Sequence, residues 1–279
     1  MAEPLHLPES WSAAIERLSA GGARRIAVLG PTDVGKSSFL LALASASRGE
    51  ERLGLIDLDP GQKLLGPIGT VSFGYLDGEE PACTRFRFVG STSAIAMRAI
   101  IAGAAELAGQ EPFAANTSGF VQGPGARLQA ASVAALRADA VVAIGLGAPP
   151  LPAGWGGTLM TLDPSPHATR KSEGLRRRIR QAAFERHLGA QSLVLPLLPF
   201  DPAPPRGSDS ERRPVCCLAD ASGEDMAVGV LEEATEQGLR IRTAPLPRPP
   251  ALLRLGRIWA RPDGGGWKLL DKLEPAWTG

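Results

Sequence analysis

Cysteine is nearly absent: Cys83, Cys216 and Cys217 are the only three in 279 residues. An odd number with one adjacent pair makes neither a disulfide framework nor a zinc ligand set. So few thiols fit the cytosol, and the pair in "PVCCLAD" reads as strand with one thiol facing the core. A dominant charge is missing too. Lys and Arg number 30 and Asp and Glu 29, a formal net charge of +1, so any basic surface has to be local. Histidine is confined to His6 in the N-terminal tail, His187 at the end of a basic helical segment, and His167, which reads as a solvated loop residue or one near the site. No long apolar run survives: the longest uncharged stretch, Ala140 to Leu162, is broken by three prolines and five glycines. It reads as two strands and a loop, so no membrane contact is expected. The N-terminus has neither a basic n-region nor an apolar h-region, which excludes a signal peptide.

What remains is an ordinary globular composition, 44% hydrophobic and 21% charged, enough for one large core and a small satellite. Short apolar runs alternate with helical patterns: strands are expected in "RIAVLG", "LGLIDLD", "TVSFGYL", "TRFRFVG", "FAANTS", "DAVVAIG", "GTLMTLD" and "SLVLPL". Helices are expected over 35–47, 94–108, 126–137 and 170–188. This alternation predicts an α/β fold with a mostly parallel sheet flanked by helices. "FDPAPPRGSDSERRP" reads as an exposed linker, and the short strand patterns after it as a small β-rich domain. The organisation is thus an N-terminal segment 1–23, a main domain 24–200, a linker 201–214 and a C-terminal domain 215–279.

The chemistry starts at "GPTDVGKSS", directly after the first apolar strand. It fits G-x-x-x-x-G-K-S, a P-loop with a strand before it and a helix after it. Gly30, Thr32, Asp33, Val34, Gly35, Lys36, Ser37 and Ser38 form this nucleotide-binding loop, whose backbone N–H groups converge on phosphate. Lys36 reaches the β- and γ-phosphates and Ser37 offers a hydroxyl to Mg²⁺. The chain has only five lysines, so chance does not account for Lys36. No NKxD motif reads guanine and no G-x-G-x-x-G follows a strand, which disfavours a GTP switch and dinucleotide binding.

At the end of the second strand, "LIDLDPGQ" holds Asp57 and Asp59. Two residues apart, they share one side of an extended strand. There they could hold Mg²⁺ and take a proton from an attacking hydroxyl, or one could cap a turn before Pro60-Gly61. Between Arg170 and Arg186 lie seven basic residues against Glu173 and Glu185. The helix there has no single apolar stripe, since Leu175 and Ile179 sit nearly opposite Phe184 and Leu188. Such a helix is weakly anchored and suits a lid, expected over 163–189, the alternative being a solvated basic helix on the surface. Arg176 is placed at the transferring phosphoryl, where an arginine supplies a factor of roughly 10³–10⁵ in rate. Arg180, one turn on, and Arg170 or Lys171 are placed on substrate phosphate.

Taken in order, "GPTDVGKSS", "DLDPGQ", "FVGSTS", "NTSGFVQGPG" and "TRKSEGLRRRIRQAAFERHLG" resemble the polynucleotide 5′-hydroxyl kinase family. That family includes the RNA kinases of the pre-mRNA cleavage complex and of ribosomal RNA processing, and the compact prokaryotic members are the most similar. The resemblance implies a P-loop kinase using ATP and Mg²⁺ on the 5′ end of single-stranded RNA or DNA. It puts Asp59 at the carboxylate that serves Mg²⁺ and activates the hydroxyl, with Gln62 beside it. It puts Thr92 and Ser93 on the incoming nucleic acid, and Thr117, Ser118 and Phe120 in a clasp whose aromatic stacks on a base. Two positions depart from the family: Phe120 stands where Trp is usual, and Lys171 stands near a common Arg. Two other functions fit the loop: an ATPase or switch, and an RNA-binding component that holds ATP without turnover.

Overall fold

The computed structural model describes residues 7–47, 52–201 and 211–270. The chain begins with helix α1 (Glu9–Ala20), then β1 (Arg25–Leu29), α2 (Lys36–Ala46), β2 (Gly54–Asp57), β3 (Thr70–Asp77), β4 (Glu80–Phe88) and α3 (Met97–Leu107). β5 (Phe113–Asn116), α4 (Pro124–Leu136), β6 (Ala140–Ile144) and β7 (Thr158–Leu162) complete the first sheet. Its order is β4-β3-β2-β5-β1-β6-β7. β2, β5, β1, β6 and β7 are parallel, while β3 and β4 return antiparallel at one edge.

Side-chain alternation divides the core into two layers. Ile26 and Val28 of β1 pack toward α1 and α2, with Leu55, Ala114 and Val142 from neighbouring strands. Ala27 and Leu29 pack toward α3 and α4, with Ile56, Ala115 and Val141. Both faces are covered, so these strands read as continuous apolar runs. The N-terminal segment includes one element the expected helices left out. Trp11, Ala14, Ile15 and Leu18 form the buried stripe of α1 at helical spacing, and the Trp11 ring meets Phe39 edge-on, centroids 5.5 Å apart.

After α5 (Glu173–His187) come β8 (Ser192–Leu195), β9 (Phe200–Asp201), β10 (Arg213–Ala219), β11 (Asp225–Thr235), β12 (Gly238–Thr243), β13 (Leu252–Asp263) and β14 (Gly266–Leu270). They form a second sheet, β14-β13-β10-β11-β12-β8, with β9 beside β13. The expected strand "SLVLPL" is present but pairs antiparallel with β12, so the second sheet takes a strand from ahead of residue 215. The expected linker falls mostly on 202–210, outside the described residues. Cys216 and Cys217 are both fully buried, on opposite faces of β10. The expectation of one core-facing thiol is corrected because helix α5 covers the second face. Burial pushes the Cys216 thiol up to about 12, so it is no nucleophile.

The two sheets are joined by more than chain connectivity. Buried Asp225 accepts from the Phe88 N–H at 2.7 Å and pairs with Arg254 Nε at 2.9 Å. The Arg257 N–H donates to the Gly90 carbonyl at 2.6 Å. Phe184 and Leu188 of α5 pack with Ile68, Val215, Val228 and Trp267, and Gln181 bonds the Trp267 carbonyl and the Leu269 N–H at 2.8 and 2.9 Å. The C-terminal half of α5 is therefore anchored, against the expected weak attachment; burying Phe184 alone contributes about 1.5–3 kcal/mol. No helix among the described residues is long and apolar enough to cross a membrane.

Candidate active site

The loop between β1 and α2 turns on Gly35, whose φ of +97° suits glycine. A Cβ there would also lie 2.6 Å from Cη2 of Trp11, so the indole forms the floor of the loop. Trp11 Nε1 donates to the Asp163 carbonyl at 3.1 Å, tying the start of the lid segment to the same floor. No side chain caps α2, which leaves its first N–H groups open to an anion. Ser37 is exposed in the first turn and Ser38 half-buried.

Lys36 is buried and folds back on the loop. Its Nζ donates to the carbonyls of Gly30 at 2.9 Å and Pro31 at 2.7 Å. Burial lowers its pKa to about 8, with the Asp59 carboxylate the main opposing influence. The two residues sense one another although β5 lies between β1 and β2 in the sheet.

Asp57 and Asp59 have separate environments. β2 ends at Asp57 and the chain turns, so the two do not share a strand face. Asp57 is fully buried and pairs with Lys63 at 3.1 Å. Its Oδ1 accepts from Asn116 Nδ2 at 3.0 Å and the Asp59 N–H at 3.2 Å, its Oδ2 from the Leu64 N–H at 2.7 Å. Both oxygens thus already accept from the protein, and the metal role expected of Asp57 would be played beside these contacts. Asp59 accepts from the Gly61 and Gln62 N–H groups through Oδ1, both at 2.9 Å. One oxygen caps the turn, while Oδ2 carries no hydrogen bond among the described residues. Desolvation, then the Asp57 charge, raises its carboxyl above the usual range, which makes it a stronger base than an ordinary carboxylate.

The expected substrate segments converge on these groups unequally. Thr92 adjoins the Asp59 turn: a Cβ on Gly61 would lie 2.3 Å from its carbonyl oxygen. Thr92 and Ser93 are exposed. The 116–125 segment touches the P-loop, since a Cβ on Gly119 would lie 2.3 Å from Thr32 Cγ2. Within it, Thr117 is buried and donates to the Val28 carbonyl at 2.9 Å, which latches the end of β5 to β1. Ser118 is also buried, and its carbonyl accepts from Gln129 Nε2 at 2.7 Å. Phe120 is half-buried beside Gly125.

The lid comes to the P-loop through one acid. Lys171 Nζ meets Asp33 Oδ1 at 3.2 Å, the Lys171 N–H meets Oδ2 at 3.0 Å, and Arg176 pairs with the same Oδ2. Ser172 caps α5 by accepting from the Leu175 N–H at 3.2 Å. Arg170 is exposed and Arg180 half-buried. Sequence reasoning missed Asn116 and Lys63, which orient Asp57, and missed that Asp33 faces the lid; only the excess of positive charge in the lid hinted at an acidic partner.

A model of the mRNA cleavage and polyadenylation factor CLP1 P-loop family matches residues 30–188, from the first loop glycine to the end of the lid helix. The chain belongs to this family. Among curated relatives, a polynucleotide 5′-hydroxyl-kinase grc3 of Neosartorya fischeri is 38% identical over 85 residues, 26% of this chain and 10% of the relative. Its counterpart in Aspergillus clavatus is 32% identical over 117 residues, 32% of this chain and 14% of the relative. The matches thus cover a small part of those relatives' length. A solved wild-type Clp1p–Pcf11p (454–563) complex superposes with a TM-score of 0.67 over 91% of this chain and 80% of that one, at 11% identity. The likeness of fold therefore extends beyond the segment that the family model matches.

Proposed function

We propose that the chain is a cytoplasmic polynucleotide 5′-hydroxyl kinase, transferring the γ-phosphate of ATP to the 5′ end of single-stranded RNA or DNA. The observation that carries this reading is the meeting of four groups at one edge of the sheet: the uncapped P-loop helix, Asp59, the 116–125 segment and the Asp33-bound lid. A nucleotide switch has little need for the last two. The name shared by the two fungal relatives supports the same reading.

In this scheme the N–H groups of the P-loop and Lys36 bind the β- and γ-phosphates. To do so Lys36 exchanges the Gly30 and Pro31 carbonyls for phosphate oxygen. Ser37 directly, and Asp59 through a water, fit a magnesium ion, a hard cation that keeps several waters and takes one or two protein oxygens beside phosphate. When bound it would neutralise charge on the phosphates. Asp59 takes the 5′-hydroxyl proton, Arg176 meets the transferring phosphoryl, and Phe120 stacks on a terminal base. Gln62, Thr92, Ser93, Arg170, Lys171 and Arg180 are proposed to hold the oligonucleotide.

The inward fold of Lys36 favours a second reading, a component that holds ATP without turnover. Incubation with γ-labelled ATP, Mg²⁺ and a 5′-hydroxyl oligonucleotide separates the two. Kinase action puts label on that oligonucleotide and none on a 5′-phosphorylated control, whereas the second reading gives bound ATP and no labelled product.

A further inference from the structure

Asp33 occupies a variable position of the P-loop motif, where the backbone is asked only to wrap phosphate. Here its φ is +62°, a left-handed conformation that glycine would adopt more easily. The residue present instead brings a carboxylate, only 8% exposed, next to a site for a polyanion. Alone, that charge would oppose phosphate binding. It is answered by two lid cations, Lys171 and Arg176, and by the Lys171 N–H.

The arrangement orients one guanidinium in detail. Arg176 gives Nη2 to Asp33, and its Nε donates to the Lys171 carbonyl at 3.3 Å. Nη1 carries no hydrogen bond among the described residues. Two of the three guanidinium nitrogens are thus fixed by the loop and lid, and the planar fork sets the direction of the third.

We propose that Asp33 is a positioning residue that docks the lid on the phosphate loop and presents Nη1 of Arg176 to the nucleotide. Docking makes no assumption about activity; the presentation of Arg176 rests on the kinase reading. The P-loop thereby carries its own lid anchor. Transition-state stabilisation by a pre-aimed donor is worth more than the same charge on a mobile helix.

Asp33→Asn tests this, because Asn tolerates the left-handed backbone and changes little besides the charge. In nucleotide-free protein, hydrogen exchange of the 170–178 amides should accelerate at least tenfold in the variant, with the P-loop domain still folded. The transfer kcat should fall roughly ten- to a hundredfold, while KM for ATP moves less than threefold. In an Arg176→Ala background, adding Asp33→Asn should cost less than twofold more. If Asp33→Asn fails to fold, Arg176→Gln breaks the same contact from the lid side and should accelerate the same amides. Unchanged exchange overturns the docking, and full additivity of the two substitutions overturns the positioning of Arg176. Wild-type protein that docks its lid yet phosphorylates nothing would remove the kinase reading, and with it the presentation of Arg176, while leaving the docking in place.

Discussion

Lys63 and Asp57 form a buried ion pair at 3.1 Å, their side chains 2% and 0% exposed. The pair holds the first carboxylate of "DLD" in the interior, while the second keeps one oxygen without a hydrogen bond among the described residues. Removing one partner of a buried pair typically costs about 3–5 kcal/mol. Asp57→Asn should therefore lower stability by about that amount in denaturant titration. Asp59→Asn should leave the midpoint unchanged or raise it. The folded state raises the Asp59 pKa, so its ionised form costs stability at neutral pH, and a neutral amide removes that cost.

Lys36 gives a pH signature with a definite sign. Its folded pKa is lowered to about 8, so between pH 8 and its unfolded value the unfolded chain binds more protons. Its burial penalty is fully present below pH 8 and is relieved as pH rises through that window. Phosphate binding needs the charged form. ATP affinity should fall as pH passes 8, by at most tenfold per unit, and isothermal titration at pH 7, 8 and 9 measures it. Lys36→Ala should flatten that dependence and reduce transfer by about 10²–10³.

Trp11 is predicted to matter for nucleotide although it lies in a different helix from the loop. Trp11→Ala removes the floor under Gly35 and should destabilise by about 3–5 kcal/mol. ATP should restore part of the lost melting temperature if the loop can still close on phosphate. A variant as stable as wild type would show that α1 is dispensable.

Phe120→Ala should weaken oligonucleotide binding by about 1–3 kcal/mol, and Phe120→Trp should tighten it, with ATP affinity unchanged in both. Fluorescence anisotropy with a labelled single strand reads both. Equal affinity in all three proteins would assign Phe120 to packing on Gly125.

The parallel sheet was legible because each central strand is buried on both faces and so reads as one apolar run. The P-loop was legible because its glycines, lysine and serine are fixed by spacing alone. Partners were harder to read. Ser192–Leu195 is plainly a strand, yet nothing local says that it pairs with β12 and not with the parallel sheet. Asp57 and Asp59 were expected to act together because alternation assumes an extended chain, and β2 stops at Asp57. The apolar residues of α5 looked too scattered for anchoring because its two ends meet different parts of the molecule. Phe184 and Leu188 enter the second sheet's core, while Lys171 and Arg176 reach Asp33. The α1 stripe was available in the sequence at i, i+3, i+4 and i+7 but lay in a segment read only for targeting signals.

The most direct test compares single-turnover phosphoryl transfer from ATP to a 5′-hydroxyl oligonucleotide in wild-type protein and Asp59→Asn, with ATP affinity measured on the same samples. Proton abstraction by Asp59 predicts labelled 5′ ends from wild type, a loss of at least a hundredfold in the variant, and ATP affinity within a fewfold. Equal transfer rates in the two proteins would contradict the account, because the carboxylate proposed to take the hydroxyl proton would then play no part.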